Sequence, residues 1–213
     1  MLKYIAVLAL LTGVLCSSAD EQQNTTAKLW GVLIAGSNEF YNYRHQADVC
    51  HAFHVLQRHG IPKERIIVMM YDDIANNDQN PFKGKIFNHP NGSDVYAGVP
   101  KDYTREEVTP ENFLKVLLGE RPARGSGKQL KSGPKDHVFV NFVDHGAPGI
   151  LGFPGGELTA KDLLRTLKQM HERKKYAQMV LYVEACESGS MFHKKLPNNT
   201  RSKQSQSKSS PCF

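Results

Sequence analysis

Two short segments of the chain carry side chains that could perform nucleophilic catalysis. Asp144-His145-Gly146 directly follows the apolar run 138–143, and Glu184-Ala185-Cys186 directly follows the apolar run 179–183. A cysteine thiol becomes an effective nucleophile when a nearby imidazole takes its proton or holds it as a thiolate. The glycine after the histidine lets the backbone approach closely, and its N–H is a suitable donor to a developing oxyanion.

The same residues also have a purely structural explanation. A cysteine at a strand end is often a small buried hydrophobe, and a histidine before a glycine is often a turn residue. The catalytic interpretation requires both segments to meet at one edge of a sheet, where open α/β folds place their functional residues. Because one helical stretch separates His145 from Cys186, a right-handed crossover would make their strands neighbours or near-neighbours.

The elements that must position these residues alternate along the chain. Apolar runs predict strands at 29–35, 66–71, 138–143 and 179–183. Helical spacing of apolar residues predicts helices at 45–59, from Pro110 onward and at 158–170. The β-α-β-α-β-α-β order predicts an α/β fold with an open, mostly parallel sheet and helices on its faces. The polar stretches 75–102 and 119–135 are predicted to be loops.

The first 19 residues are typical of a secretory signal peptide. A positive start at Lys3 is followed by the apolar run 5–15 and by the small residues 16–19. The apolar run is shorter than the roughly 20 residues that cross a bilayer, so we expect no membrane anchor. Residues 20–28 are predicted to be a short linker. Sequons at Asn24, Asn91 and Asn198 are candidate glycosylation sites, compatible with the secretory route.

The net charge of +6 does not indicate a nucleic-acid-binding surface. Lys3 lies in the signal peptide, and residues 193–213 carry five lysines and arginines with no acidic residue, so residues 20–192 are formally neutral. Phosphate-backbone binding therefore has little support in the folded part. Residues 201–213 have no periodicity and almost no apolar side chains, which predicts a disordered basic tail.

The cysteine count favours a reactive thiol over a network of disulfides. Of the four cysteines, Cys16 falls in the signal peptide, which leaves Cys50, Cys186 and Cys212. An odd number of widely spaced cysteines in a secretory protein raises the alternative of a reactive thiol. Cys50-His51 with His54 has the spacing of metal ligands, but we interpret these residues as a helix surface and expect no metal or cofactor.

Six motifs in collinear order resemble the legumain family of asparaginyl endopeptidases. They are Gly36-Ser37-Asn38, Asn42-Tyr43-Arg44-His45-Gln46-Ala47-Asp48, Met69-Met70-Tyr71-Asp72-Asp73, Val99-Pro100-Lys101-Asp102-Tyr103, Asp144-His145-Gly146 and Glu184-Ala185-Cys186-Glu187-Ser188-Gly189-Ser190-Met191. The resemblance implies a caspase-like fold and a partial peptidase domain at 29–200, because legumains continue through further strands. The sheet is therefore expected to be incomplete at its C-terminal end, with an unpaired edge. The catalytic subunit of the GPI transamidase shares some of these motifs but differs around the cysteine.

The resemblance also implies roles for individual residues. Cys186 matches the nucleophile, His145 its base, and Asn42 the residue that orients the histidine. The backbones of Gly146 and Cys186 match the oxyanion donors. Arg44, His45 and Glu184 match parts of the pocket that selects asparagine, and a pocket with a cation and a carboxylate suits an amide. From the residues alone, a simple ion pair between Arg44 and Glu184 is the better explanation of these two residues.

These observations leave hypotheses from two classes. The first is a cysteine endopeptidase that cleaves after asparagine, or after aspartic acid at low pH, through a thioester with Cys186. The resemblance places such an enzyme in an endolysosomal or extracellular setting, with protein substrates and cystatin-type inhibitors as partners. The alternative is a catalytically impaired, truncated fragment that acts as a binding or decoy protein. A transamidase subunit is a weaker third reading, because no segment is expected to anchor a membrane partner.

Overall fold

The computed structural model describes residues 26–193 and 196–205. Three predicted features lie outside the described residues and stay predictions: the signal peptide, the Asn24 sequon and residues 206–213 of the tail. Within the described part, no helix is long and apolar enough to cross a bilayer.

A parallel five-stranded sheet forms the centre of the described chain. The elements in order are β1 (Leu29–Ala35), α1 (Tyr43–Arg58), β2 (Ile66–Met69), α2 (Pro110–Leu118), β3 (His137–Val143), β4 (Gly146–Ala147), β5 (Ile150–Phe153), β6 (Gly156–Thr159), α3 (Ala160–Glu172), β7 (Gln178–Glu184) and β8 (Thr200–Ser205). The sheet order is β2-β1-β3-β7-β8, and every neighbouring pair is parallel. The predicted mostly parallel α/β sheet is confirmed.

Helices cover both faces of the sheet, and β1 and β2 are apolar and buried on both sides. In β1, Leu33 and Ala35 pack with Phe53 of α1 on one face. Val32 and Ile34 point to the other face, in the cluster that contains the buried residues of α2 and α3. This double burial explains why β1 is a nearly continuous apolar run. The predicted placement of helices on both faces is confirmed.

Local signals at the helix ends explain most boundaries. Thr109 Oγ1 accepts the N–H of Asn112 at 3.1 Å, and Pro110 is the first residue of α2. Gly119 ends α2 with a φ of 71°, a left-handed conformation that costs little for glycine. The third helix begins at Ala160 and not at the predicted Leu158, because Thr159 caps it by accepting the N–H of Asp162.

A small antiparallel sheet of β4, β5 and β6 was not predicted. Its strands are two to four residues long, and five glycines interrupt the segment 146–159, so no alternating pattern is visible in the sequence. Leu151, Phe153 and Leu158 are nevertheless buried against the main core. The sheet begins at Gly146, directly after His145, and therefore belongs to the neighbourhood of the candidate site.

The prediction of a disordered tail is wrong for residues 201–205. Thr200–Ser205 forms β8, which pairs in parallel with β7 along its whole length. The hydroxyl groups of Tyr176 and Thr200 also lie 2.7 Å apart in a buried contact. Strand pairing is made by the main chain, so a serine- and lysine-rich segment can adopt it without an apolar pattern. β8 is therefore the outermost strand on this side of the described sheet, and the expected unpaired edge lies on β8.

Candidate active site

The register of β3 and β7 brings the segments that contain His145 and Cys186 to one edge of the sheet. Val143 lies opposite Glu184, and the N–H of Asp144 donates to the carbonyl of Glu184 at 3.1 Å. Both chains then leave the sheet side by side, one into His145 and the other into Cys186. The predicted adjacency of these segments, which the catalytic interpretation required, is present in the structure.

Gly146 packs directly against the cysteine segment. A Cβ atom added at Gly146 would overlap the carbonyl oxygen of Cys186 and would lie 3.1 Å from the Cβ of Ala185. A hydrogen bond also links the two segments, because the N–H of Gly149 donates to Ser190 Oγ at 2.7 Å. The glycine after the histidine is therefore required by close approach of the two backbones.

Asn42 fixes both the orientation and the tautomer of His145. The Nε2 atom of His145 lies 2.8 Å from Asn42 Oδ1, while Asn42 Nδ2 donates to the carbonyl of Asn38 at 2.8 Å. Because the amide nitrogen is engaged with Asn38, the amide oxygen faces the ring, and Nε2 must carry the proton. The other ring nitrogen, Nδ1, is left with the lone pair that a base needs.

A second histidine, His45, lies beside His145. The two rings meet edge to face with centroids 5.1 Å apart. His45 Nδ1 is 2.6 Å from Ser37 Oγ and 3.3 Å from Asp144 Oδ1, and all three side chains are buried. These contacts join three separate segments of the chain. Ser37 and Asp144 belong to sequence motifs, but their contacts with His45 were not predicted.

The electrostatic surroundings of His145 favour the neutral imidazole. Burial lowers the pKa of His145 from its ordinary value, and the nearby His45 and Arg44 lower it further. The carboxylate of Asp144 acts in the opposite direction and raises the pKa, but it does not outweigh burial. The lowered pKa favours the form of His145 that keeps a free lone pair.

The three predicted pocket residues, Arg44, His45 and Glu184, all influence the pKa of Asp48. Burial and the charge of Glu184 raise the pKa of Asp48 to about 6, and His45 and Arg44 partly offset this rise. Arg44 and Glu184 do not form an ion pair with each other within 4.0 Å. Arg44 Nε is buried without a hydrogen-bond partner among the described residues. The simple ion-pair alternative is therefore wrong, and Asp48 is a group that sequence reasoning missed.

The two described cysteines differ in chemical state. The sulfur of Cys186 is in a disulfide bond in this structure. Cys50 is a free thiol, fully buried beside Met70 Sδ at 3.8 Å, and burial raises its pKa to about 12. A buried thiol with so high a pKa is unreactive. Any nucleophilic role of Cys186 therefore requires prior reduction of its disulfide.

The remaining candidate residues lie away from this edge or on the surface. His51 Nδ1 lies 3.0 Å from the side-chain nitrogen of Asn88, and His54 Nε2 lies 3.0 Å from the carbonyl of Val95. With Cys50 buried beside Met70, these three residues do not converge on a common point. Asn91 and Asn198 are both exposed, which a glycosylation acceptor requires.

The described structure is an α/β domain in which a histidine held by an amide lies at the edge of a parallel sheet, beside the segment that carries Cys186. Residues 29–203 match the Peptidase C13 family, and the chain belongs to this family. The resemblance found in the sequence is confirmed, and the match extends three residues past Thr200. The caspase-like architecture expected of this family agrees with the observed sheet and helices.

Individual relatives show the same relationship. The chain is 59% identical to legumain of Rattus norvegicus over 189 residues, which cover 87% of this chain and 43% of the relative. It is 54% identical to legumain of Homo sapiens over 200 residues, covering 92% of this chain and 46% of the relative. The vacuolar-processing enzyme delta-isozyme of Arabidopsis thaliana is 55% identical over 185 residues, 85% of this chain and 39% of the relative. The chain thus spans less than half the length of these relatives.

Proposed function

We propose that this chain is a cysteine endopeptidase domain that cleaves peptide bonds after asparagine, and after aspartic acid at low pH. The observation that carries the proposal is the meeting of Asn42, His145 and the Cys186 segment at one edge of the sheet. Family membership supports the same reaction class.

The mechanism assigns one role to each group. The Nδ1 atom of His145 takes the proton of the Cys186 thiol, and the sulfur forms a bond to the carbonyl carbon of the scissile peptide. The backbone N–H groups of Gly146 and Cys186 stabilise the oxyanion. His145 then gives its proton to the leaving amine as the C–N bond breaks. Water, deprotonated by the same imidazole, hydrolyses the thioester and restores the thiol.

The pocket for asparagine is assigned to Arg44, His45 and Glu184. An amide side chain offers both an acceptor and donors, so it needs a cation and a carboxylate together. The buried, unpartnered Nε of Arg44 supplies a donor that nothing else in the described chain uses. A protonated aspartic acid has the same shape and pattern, which accounts for its acceptance at low pH.

The disulfide on Cys186 makes reduction the first step of any turnover. A thiol reductant supplies two electrons and two protons, which releases the Cys186 thiol. The same proposal assigns the protein to the secretory pathway, in an endolysosomal or extracellular setting. Protein substrates and cystatin-type inhibitors are its proposed partners, and candidate glycans sit on Asn24, Asn91 and Asn198.

The test offers the reduced chain fluorogenic peptides with asparagine, aspartic acid or alanine before the scissile bond, at mildly acidic pH. Release that is selective for asparagine and abolished in Cys186→Ala supports the proposal. Soluble, folded and reduced protein that releases no fluorophore overturns it and favours the alternative of a binding or decoy fragment.

A further inference from the structure

Among the described residues, His45, Asp144 and His145 form a compact group of metal-ligand side chains. One nitrogen or carboxylate oxygen from each lies within 4.8 Å of the others. We propose that this group is an inhibitory zinc site, in which one Zn²⁺ binds both imidazoles and the carboxylate. No metal was expected from the sequence, where only Cys50, His51 and His54 had the spacing of metal ligands. The inhibitory consequence rests on the proposed peptidase function, whereas metal binding itself does not.

The spacing of two of the three ligands already fits zinc. His45 Nδ1 and Asp144 Oδ1 are 3.3 Å apart. Zinc bonds to histidine nitrogen and carboxylate oxygen are about 2.0–2.2 Å long, so two ligands of a tetrahedral ion lie roughly 3.3 Å apart. The third ligand, His145, has to approach the pair by a small rotation of its ring. Imidazole nitrogens with one carboxylate are a donor set that suits zinc better than magnesium or calcium.

The buried carboxylate provides independent support for a cation at this position. Asp144 Oδ1 has no hydrogen-bond partner, although only 4% of the side chain is exposed. A buried carboxylate without compensation is costly, and a cation placed against this oxygen removes the cost. A protonated His45 can serve as this cation, and so can a divalent metal that binds both groups.

The surroundings of the two histidines fit ligation with one adjustment. Asn42 Oδ1 accepts from Nε2 of His145, which leaves Nδ1 with its lone pair and fixes the ring, as the outer partners of metal-bound histidines do. Ser37 Oγ lies 2.6 Å from Nδ1 of His45, and this contact has to give way to the metal. The positive charge of Arg44 acts on the same region and weakens the site relative to a structural zinc centre.

A zinc ion bound to these three side chains would block the proposed peptide cleavage. The lone pair on Nδ1 of His145 cannot both hold zinc and accept the proton of a thiol. A bound ion would also draw His45 away from the proposed substrate pocket. Zinc is therefore expected to inhibit reversibly, without any contribution from the sulfur of Cys186.

The direct test is titration of the full chain with Zn²⁺ in competition with a chromophoric chelator. We expect one zinc per chain, and at least a tenfold loss of affinity in Asp144→Asn and in His45→Gln. His51→Gln is the matched control, since His51 belongs to the other histidine group and should leave the affinity unchanged. Equal affinity in wild type and Asp144→Asn, or a loss confined to His51→Gln, overturns the proposal. Circular dichroism of each variant separates lost ligation from lost folding.

X-ray absorption at the zinc edge of the wild-type protein tests the ligands without any substitution. A shell of nitrogen and oxygen alone supports the site, and a zinc–sulfur shell overturns it. Inhibition of peptide cleavage by Zn²⁺, reversed by a chelator, is then measured separately. If the chain has no peptidase activity, the binding and absorption results still decide the metal site on their own.

Discussion

The side-chain oxygen of Asn42 lies 2.8 Å from Nε2 of His145, and the amide nitrogen of Asn42 is held by the carbonyl of Asn38. This chain of two hydrogen bonds determines which nitrogen of the imidazole carries the proton. A residue in the turn before α1 thereby prepares a histidine at the end of β3 to act as a base.

Removing the amide should lower catalysis without weakening substrate binding. In Asn42→Ala we expect kcat to fall roughly 10- to 100-fold, since general acid–base catalysis contributes about 10²- to 10⁴-fold and only orientation is lost. KM should change little. The measurement is steady-state cleavage of an asparagine peptide by reduced protein.

Asn42→Asp provides the rescue for this prediction. It keeps an oxygen acceptor for Nε2 but loses the donor to Asn38, so it should recover part of the lost kcat. A fall in kcat/KM that comes wholly from KM in Asn42→Ala would contradict the orienting role.

The close approach at Gly146 predicts a sharp difference between two glycines. Gly146→Ala places a methyl group against the carbonyl of Cys186 and should displace the cysteine backbone. We expect at least a tenfold loss of activity and a loss of about 1–3 kcal/mol in the free energy of unfolding, as overpacking usually costs. Gly133→Ala meets nothing within 4 Å and should leave both quantities nearly unchanged. Denaturant unfolding and peptide cleavage measure the two effects, and equal behaviour of both variants would refute the packing argument.

The depressed pKa of His145 can be measured directly. In a Cys186→Ala background, which removes the sulfur, an NMR titration of the His145 ring should give a pKa below about 6.5. Asp144→Asn should lower the pKa further, because it removes the negative charge that favours the imidazolium. A pKa above 6.5, or a rise in the Asp144→Asn variant, would show that burial is not the dominant cause.

The raised pKa of Asp48 predicts a pH-dependent gain of stability in Asp48→Asn. The pKa of this carboxyl rises from 3.8 to about 6 on folding. Its contribution to stability is therefore fully present below pH 3.8 and is lost as the pH rises through 6. Above pH 6 the wild type carries a partly buried carboxylate that the variant lacks. The gain of the variant should therefore grow between pH 4 and 6 and then level off, at about 1–2 kcal/mol after allowance for partial exposure.

Urea unfolding at several pH values between 3.5 and 7.5 measures this gain. Asp78→Asn is the control, because the neighbouring Lys83 lowers the pKa of Asp78 and the side chain is fully exposed. A difference between wild type and Asp48→Asn that is constant across this pH range would rule out the shifted carboxyl as its cause.

Much of the sheet was predictable because its strands are apolar runs, and β1 and β2 are buried on both faces. The start of α2 at Pro110 was also visible in the sequence. The hairpin after His145 was not predictable, since its strands are too short to show a period. β8 escaped prediction because its residues pair through the main chain, and its polar side chains carry no strand pattern.

The candidate site, too, was predictable from the sequence only in part. The position of His145 and Cys186 at two strand ends followed from the order of the elements. The part played by Asn42 came from the resemblance, because no periodicity connects it with β3. The contacts of Ser37 with His45, and the partial burial of Asp48, depend on how α1 lies against the sheet edge. Side-chain burial of this kind has no signature in a single sequence.

β8 holds its place beside β7 through the main chain. Thr200 makes a buried side-chain contact at the start of the strand, whereas Arg201 and residues 203–205 are exposed. At the other end, the carbonyl of Ser205 accepts the N–H of Ala185, the residue before Cys186. A change in β8 would therefore reach the main chain that positions Cys186, although no side chain of β8 belongs to the candidate site.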